Sequence, residues 1–98
     1  MKAVRVMRHK ETDLDGDLMD IIIWKVPENF HNPDGLRYMM AFIPLGQKSP
    51  AVLYDNHYPK GHHKHIRGKE FPHRFENIDQ LTRDFEGDIQ EWKRGDKS

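Results

Sequence analysis

The segment LMDIIIWKV, residues 18–26, predicts the centre of a β-sheet. It is rich in β-branched residues, and its apolar side chains occupy both sets of alternating positions. A strand of this kind is covered on both faces or paired on both edges. Asp15-Gly16, just before it, tolerates the positive φ angles of a tight hairpin turn, and Pro27 ends it. We therefore expect a central strand over about residues 17–26.

Three more strands are predicted on the two sides of this one. Residues 2–11 alternate weakly in polarity, which indicates a strand with one solvated face. The tetrapeptide at residues 32–35, Asn-Pro-Asp-Gly, has the composition of a turn. It leads into an apolar strand over residues 36–43, and a fourth strand is expected over residues 51–55. Short connections between neighbouring strands favour antiparallel pairing.

The C-terminal part of the chain predicts one amphipathic helix over about residues 78–94. Asn77 is a suitable N-cap, and Gln80 stands three residues later, as in a capping box. One apolar stripe recurs at helical spacing, formed by Ile78, Leu81, Phe85, Ile89 and Trp92. Such a stripe is typical of a helix that packs against a sheet.

These elements predict an α+β fold: a four-stranded antiparallel β-meander with one C-terminal helix packed on one face. We expect a single domain over residues 1–98, in which residues 56–76 form a basic, histidine-rich connection without sustained apolar period. The second face of the sheet keeps apolar side chains. A homodimer through that face or through a sheet edge is therefore a further expectation.

Composition excludes several classes of protein. The chain has no cysteine, so disulfides and thiolate zinc sites are excluded. The N-terminal MKAVRVMRHK lacks the apolar region of a signal peptide, and no apolar run is long enough to span a membrane. We expect a soluble protein of the cytoplasm that does not bind to membranes.

The net charge is zero, with 16 acidic and 16 Lys or Arg residues, but the charge is unevenly distributed. Residues 56–75 contain five Lys or Arg and one acid, whereas residues 76–92 contain six acids and one Arg. Such a dipolar pattern suggests that one surface meets an anion while another faces water or a basic partner.

The segment Tyr54–Phe75 holds five of the seven histidines beside those cations. A ribonuclease that works without a metal requires a base for the 2′-hydroxyl proton, an acid for the leaving 5′-oxygen, and cations for the charge on phosphorus. The candidate acids and bases are His57, His62, His63 and His65. The candidate residues for binding phosphate or nucleic acid are Lys60, Gly61, Lys64, Arg67, Lys69 and Arg74. Asp55 and Tyr54 are expected to support them, and we expect the imidazoles at 62, 63 and 65 to converge on one anion-sized pocket.

Two alternatives use the same residues. In the first, the basic loop binds nucleic acid or another partner without catalysis. In the second, the protein is a histidine-rich metal binder, because His63 and His65 point the same way on an extended segment. We assign no metal and no cofactor, because the sequence shows no third fixed ligand and no carboxylate that orients the rings. His9 and His31 are assigned structural roles.

A resemblance to a known family is carried by four runs of residues. They are Tyr54-Asp55-Asn56-His57, then Lys60-Gly61-His62-His63-x-His65, then Gly68-x-Glu70-x-Pro72-x-x-Phe75, and then Leu81-x-x-Asp84-Phe85-x-x-Asp88-Ile89. The chain resembles the TumE-type toxins of bacterial toxin–antitoxin modules over nearly its whole length. The resemblance implies a toxin neutralised by a helix-turn-helix antitoxin, and RNA is the expected substrate. One departure is His73, where the resemblance leads us to expect a tyrosine, so we give position 73 no catalytic role.

Overall fold

The computed structural model describes residues 3–95, which form one antiparallel sheet followed by one helix. The strands are β1 (Val4–Thr12), β2 (Leu18–Lys25), β3 (Leu36–Ile43), β4 (Val52–Asp55), β5 (His63–Ile66) and β6 (Lys69–Pro72), and the helix is α1 (Ile78–Gly95). Neighbours in sequence are neighbours in the sheet, in the order β1-β2-β3-β4-β5-β6. The α+β class, the meander and the C-terminal helix are confirmed.

The prediction of four strands is wrong, because the sheet has six. Strands β5 and β6 lie within the segment at residues 56–76 that was expected to be an irregular connection. Their hairpin turns at Arg67 and Gly68, whose φ angles are +50° and +82°. Two successive residues with positive φ suit a tight hairpin, but Arg rarely takes this conformation, so the turn carries no Asn-Gly or Asp-Gly signal. The two strands are also largely polar, so no apolar alternation marked them.

Strand β1 differs from its prediction in exposure. Residue 2, where the strand was expected to begin, lies outside the described residues. All nine residues of β1 are exposed, so the expected buried face is absent from this strand. The pairing with β2 is irregular between Arg5 and Met7. β1 is an edge strand that contributes nothing to the buried core, because that core forms between α1 and the strands beyond it.

The helix begins and packs as its sequence predicts. The backbone N–H of Gln80 donates to Oδ1 of Asn77 over 2.8 Å, which is the N-cap interaction. The side chain of Gln80 accepts from the backbone N–H of Glu76, one residue before the position of an ideal capping box. Leu81 and Phe85 are fully buried against the sheet. No helix within residues 3–95 has the length and apolar character needed to cross a membrane.

The register of the sheet assigns each side chain to one of two faces, because directly paired residues share a face. The side under α1 carries the core residues Ile21, Ile23, Tyr38, Met40, Phe42, Val52 and Tyr54. We call the opposite side the open face. It carries Arg8, Ile22, Trp24, Arg37, Met39, Leu53, Asp55, His63, His65 and Glu70.

The C-terminal end of α1 is tied to the loop between β1 and β2. Nζ of Lys93 lies 2.7 Å from carboxylate oxygens of Asp13 and of Asp15, and 3.1 Å from one of Asp17. The hydrogen bond from Lys93 holds the pKa of Asp13 below its ordinary value, against the opposing effect of burial. Burial alone would lower the pKa of Lys93, but its hydrogen bonds to Asp13, Asp15 and Asp17 raise it. One ammonium group therefore contacts three carboxylates and offsets part of their negative charge.

Lys93→Met is expected to destabilise the protein by about 1–3 kcal/mol, because it leaves the buried carboxylate of Asp17 without its cation, beside two like charges. Arg94→Met is the matched control, because within residues 3–95 the exposed Arg94 pairs only with Glu91 on the same helix. This substitution should change stability by less than about 0.5 kcal/mol. Urea unfolding near pH 7 measures both. Equal stability of the two variants would contradict this account.

The difference in stability between wild type and Lys93→Met is predicted to depend on pH. The folded pKa of Asp13 is lowered from 3.8, so its ion pair stabilises the fold above that pH and ceases to do so as the pH falls through the folded pKa. The stability difference between wild type and Lys93→Met should therefore shrink below about pH 4. A difference that stays constant from pH 7 to pH 3 would show that the ion pair is not its cause.

Candidate functional site

The start of β5 separates the adjacent histidines. His63 pairs with Asp55 and His65 with Leu53, which places both rings on the open face. Their shared direction, expected from the spacing of two residues, is confirmed. His62 precedes them by one position and contacts Tyr38 and Phe75 on the side under α1. The expected convergence of all three imidazoles is therefore wrong, because consecutive side chains of an extended strand point to opposite faces.

His63 is buried and held at both ring nitrogens. Nδ1 donates to the carbonyl oxygen of Gly61 over 2.8 Å, and Nε2 lies 3.0 Å from Oδ1 of Asp55. Gly61 has a φ of +70°, which suits glycine, and this backbone turn presents its carbonyl to the ring. Gly61 thus acts in this structure through its carbonyl oxygen, whereas the sequence suggested that it would bind phosphate.

His65 stands beside His63, with 5.1 Å between the ring centroids. Glu70 lies directly opposite His65 on β6, and its Oε1 is 3.7 Å from Nε2 of His65. Nζ of Lys60 donates to the same oxygen over 2.6 Å. That hydrogen bond is the main reason why the pKa of Glu70 lies below its ordinary range. Sequence reasoning missed Glu70, because its contact depends on the register of β5 and β6.

Arg37 adds a second cation to the same region, where it contacts His57. Nη2 of Arg37 donates to Nδ1 of His57 over 2.6 Å. Arg37 lies on the open face of β3 and was missed because it stands 20 residues before His57 in an apolar strand. A shallow cavity of about 280 Å³ joins this end of the site and is lined by Asp55, His57, Tyr58, Pro59, Lys60 and His63.

We call these side chains the open-face cluster: Arg37, Asp55, His57, Lys60, His63, His65 and Glu70. It combines imidazoles, carboxylates and exposed cations on one side of the sheet. The arrangement can move protons and can bind an anion.

An exposed aromatic stack adjoins the cluster. The ring of His31 stacks on Tyr58 with 3.9 Å between centroids, and the ring of Phe30 meets Tyr58 edge-on at 6.0 Å. Phe30 is 83% exposed. Because Tyr58 also lines the cavity, the stack and the cluster form a continuous surface. The structural role assigned to His31 from sequence stays a prediction.

His62 packs on the side of the sheet under α1, between Tyr38 and the segment that precedes the helix. Its Nδ1 lies 2.8 Å from the hydroxyl of Tyr38, its Nε2 lies 2.5 Å from Oδ2 of Asp34, and its ring stacks on Phe75. Burial raises the pKa of Tyr38, and the charges of Asp55 and Asp34 raise it further. The Tyr38 hydroxyl is therefore a donor to His62.

A separate polar group lies between the sheet and α1. Lys64 and the hydroxyl of Tyr54 both donate to Asp88 on the helix. Burial, followed by the hydrogen bond to Asp88, raises the pKa of Tyr54. His73 packs edge-on against Tyr54 and lies 2.9 Å from Asp84, while its Nδ1 has no hydrogen-bond partner among residues 3–95. Tyr54 and Lys64, which were expected to serve the anion site, are thus on the other side of the sheet.

The other predicted phosphate-binding residues lie apart from the open-face cluster. Arg67 stacks over the ring of Trp92 at 5.8 Å, beside the end of the helix. Lys69 pairs with Ile66, which places it on the side under α1. Arg74 is exposed in the segment that follows β6. Basic residues that are close in sequence to the histidines therefore need not lie close to the open-face cluster.

Comparison with known proteins gives one match. The family model described as Toxin TumE matches residues 3–93. A search of curated proteins and of solved structures gives no significant match. The match covers every strand and all but the last two residues of the helix, and it confirms the resemblance carried by the histidine-containing runs. The chain therefore belongs to the Toxin TumE family, and its family role is that of the toxin in a toxin–antitoxin module.

Proposed function

We propose that this toxin cleaves RNA at the open-face cluster, without requiring a metal ion. The observation that carries the proposal is the placement of His63, His65 and the cations Lys60 and Arg37 on one side of the sheet, away from α1. Proton transfer and phosphate binding are the two needs of RNA cleavage, and these side chains serve both.

The two imidazoles of β5 divide the proton transfers between them. One ring removes the proton from a ribose 2′-hydroxyl, and the 2′-oxygen attacks the adjacent phosphorus. The bond from phosphorus to the 5′-oxygen breaks, and the other ring gives that oxygen a proton. The products are a 2′,3′-cyclic phosphate and a free 5′-hydroxyl. The Gly61 carbonyl holds Nδ1 of His63 in place. Nε2 of His63 leaves Asp55 Oδ1 when it exchanges a proton with RNA.

Lys60 and Arg37 are the cations that we assign to the phosphate. Without RNA, Lys60 donates a hydrogen bond to Glu70, and Arg37 donates one to His57. The Lys60–Glu70 ion pair and the Arg37–His57 hydrogen bond are both exposed and contribute little to stability. A dianionic transition state can therefore displace these partners. His57 then becomes a third imidazole beside the reacting group.

The aromatic stack is the surface that we assign to a base of single-stranded RNA. Stacking of one base on an aromatic side chain contributes about 1–3 kcal/mol and depends little on sequence. Phe30 and Tyr58 present ring faces or edges to solvent next to the cavity. This places a base beside the cluster while its phosphate faces the cations.

The protein partners and the cellular site are expectations of the same proposal. Family membership implies an antitoxin, and we expect a helix-turn-helix protein. A second copy of the chain would pair through the exposed edge of β1 or the open face. Action on RNA would take place in the cytoplasm.

His65→Ala should lower the rate of RNA cleavage by about 10²-fold or more, because it removes one proton-transfer group. His65 is the suitable target because it is more exposed than His63, so its loss should spare the fold. A labelled single-stranded RNA, in buffer containing EDTA, reports the rate. His9→Ala is the control, because His9 lies on exposed β1 and pairs there with Glu11. No cleavage by folded wild type, or equal rates for both variants, would refute catalysis at this site.

Substitutions around the cavity should separate stacking from charge. Tyr58→Ala should weaken RNA binding by about 5- to 150-fold with little change in its salt dependence, because stacking is not ionic. Arg37→Gln should instead reduce the salt slope by about one. Both are measured by fluorescence anisotropy at several salt concentrations, in the His65→Ala background so that RNA stays intact.

Leu45→Ala is the control for those measurements, because Leu45 is an exposed apolar residue in the connection after β3. If Tyr58→Ala binds RNA as tightly as Leu45→Ala does, the aromatic stack has no role in RNA binding. Tight binding by a wild type that never cleaves would identify the alternative function, a non-catalytic nucleic-acid-binding module.

A further inference from the structure

We propose that the open-face cluster binds a zinc ion through His63, His65 and Glu70, and that the bound ion inhibits RNA cleavage. Zinc binding stands on the geometry alone. The inhibition rests on the proposed function of the same histidines.

The fold brings three ligand atoms together. His63 and His65 are two residues apart on β5, and Glu70 pairs with His65 across to β6. One atom from each lies within 4.8 Å of the others, and Nε2 of His65 is 3.7 Å from Oε1 of Glu70. Tetrahedral zinc with bonds of about 2.0–2.1 Å requires about 3.3 Å between ligand atoms. Small rotations of the partly exposed His65 and Glu70 side chains supply the difference.

The orientation of His63 is already that of a metal ligand. Its Nδ1–H donates to the Gly61 carbonyl, which directs Nε2 toward the cluster. Histidine ligands commonly donate their second ring N–H to a carbonyl or carboxylate in this way. Nε2 of His63 faces Asp55 Oδ1 over 3.0 Å. A zinc ion at Nε2 would replace this contact and have the Asp55 carboxylate beside it. The third ligand and the orienting group that the sequence did not show are therefore both present in the fold.

Lys60 is the competitor for this site. Its ammonium donates to Glu70, so the carboxylate has a cation partner before any ion binds. Lys60 is more than half exposed, and such pairs exchange easily with solvent. Residues 3–95 contain a second group of three possible ligands, Asp13, Asp15 and Asp17. The lysine that competes for this group is more enclosed than Lys60. There Lys93 is largely enclosed and contacts all three carboxylates, so no zinc site is proposed.

A bound ion would stop the chemistry proposed for the same rings. Zinc takes the Nε2 lone pairs of His63 and His65, and a ring nitrogen bound to a metal can neither accept nor donate a proton. Zinc would also separate Lys60 from Glu70 by like-charge repulsion. The structure thus supports a toxin that free zinc switches off.

Calorimetry with zinc chloride and the whole chain, in a buffer free of chelators, tests the site. Wild type should bind one zinc with micromolar or tighter affinity. His65→Ala and Glu70→Gln should each weaken binding at least about tenfold, and Lys60→Gln should strengthen it several-fold because a like charge is removed. His9→Ala, which alters a histidine–glutamate pair outside the site, should leave the affinity unchanged.

Similar weak affinity for wild type, His65→Ala, Glu70→Gln and Lys60→Gln would overturn the site and show adventitious binding to surface histidines only. The RNA assay, repeated without EDTA and with added zinc chloride, tests inhibition separately. Zinc binding by a protein that cleaves no RNA would overturn the proposed function but leave the site standing. Cleavage that continues at saturating zinc would overturn the inhibition.

Discussion

Consecutive side chains of a β-strand point to opposite faces, and the account of this protein depends on that constraint in β5. It divides the run His62-His63-Lys64-His65 between two environments. His63 and His65 reach the open face. His62 and Lys64 lie on the side under α1, where His62 contacts Tyr38 and Lys64 contacts Asp88. A shift of the register by one residue would exchange these sets. The site therefore follows from the pairing of β5 with β4.

The same strands pack against α1 on one face and carry the candidate site on the other. Under α1, Asp88 accepts hydrogen bonds from Tyr54 and Lys64, and Asp84 contacts Nε2 of His73. The acidic surface of α1 thus neutralises cations that point inward. On the other side of the sheet, Lys60 and Arg37 have only exposed partners. Within the basic segment at residues 56–75, Lys64 therefore pairs with the helix, whereas Lys60 lies on the open face.

Much of the architecture could be predicted from sequence, because it depends on local patterns. The apolar stripe and the Asn77 cap defined α1, and the β-branched run defined β2. The hairpin of β5 and β6 could not be predicted, since its strands are polar and its turn places Arg67 at positive φ. Within the site, the residue types and the shared direction of His63 and His65 were predictable. Glu70 and Arg37 were not, because their partners meet them only through the strand register.

The most direct test of the central claim is a nuclear magnetic resonance measurement of the histidine ring nitrogens while an RNA analogue binds. The analogue carries a 2′-deoxy sugar at the scissile position, so it cannot be cleaved. The account predicts that the ring signals of His57, His63 and His65 shift on binding, while those of His62 and His73 stay in place. Shifts of His62 and His73 without shifts of His63 and His65 would contradict it.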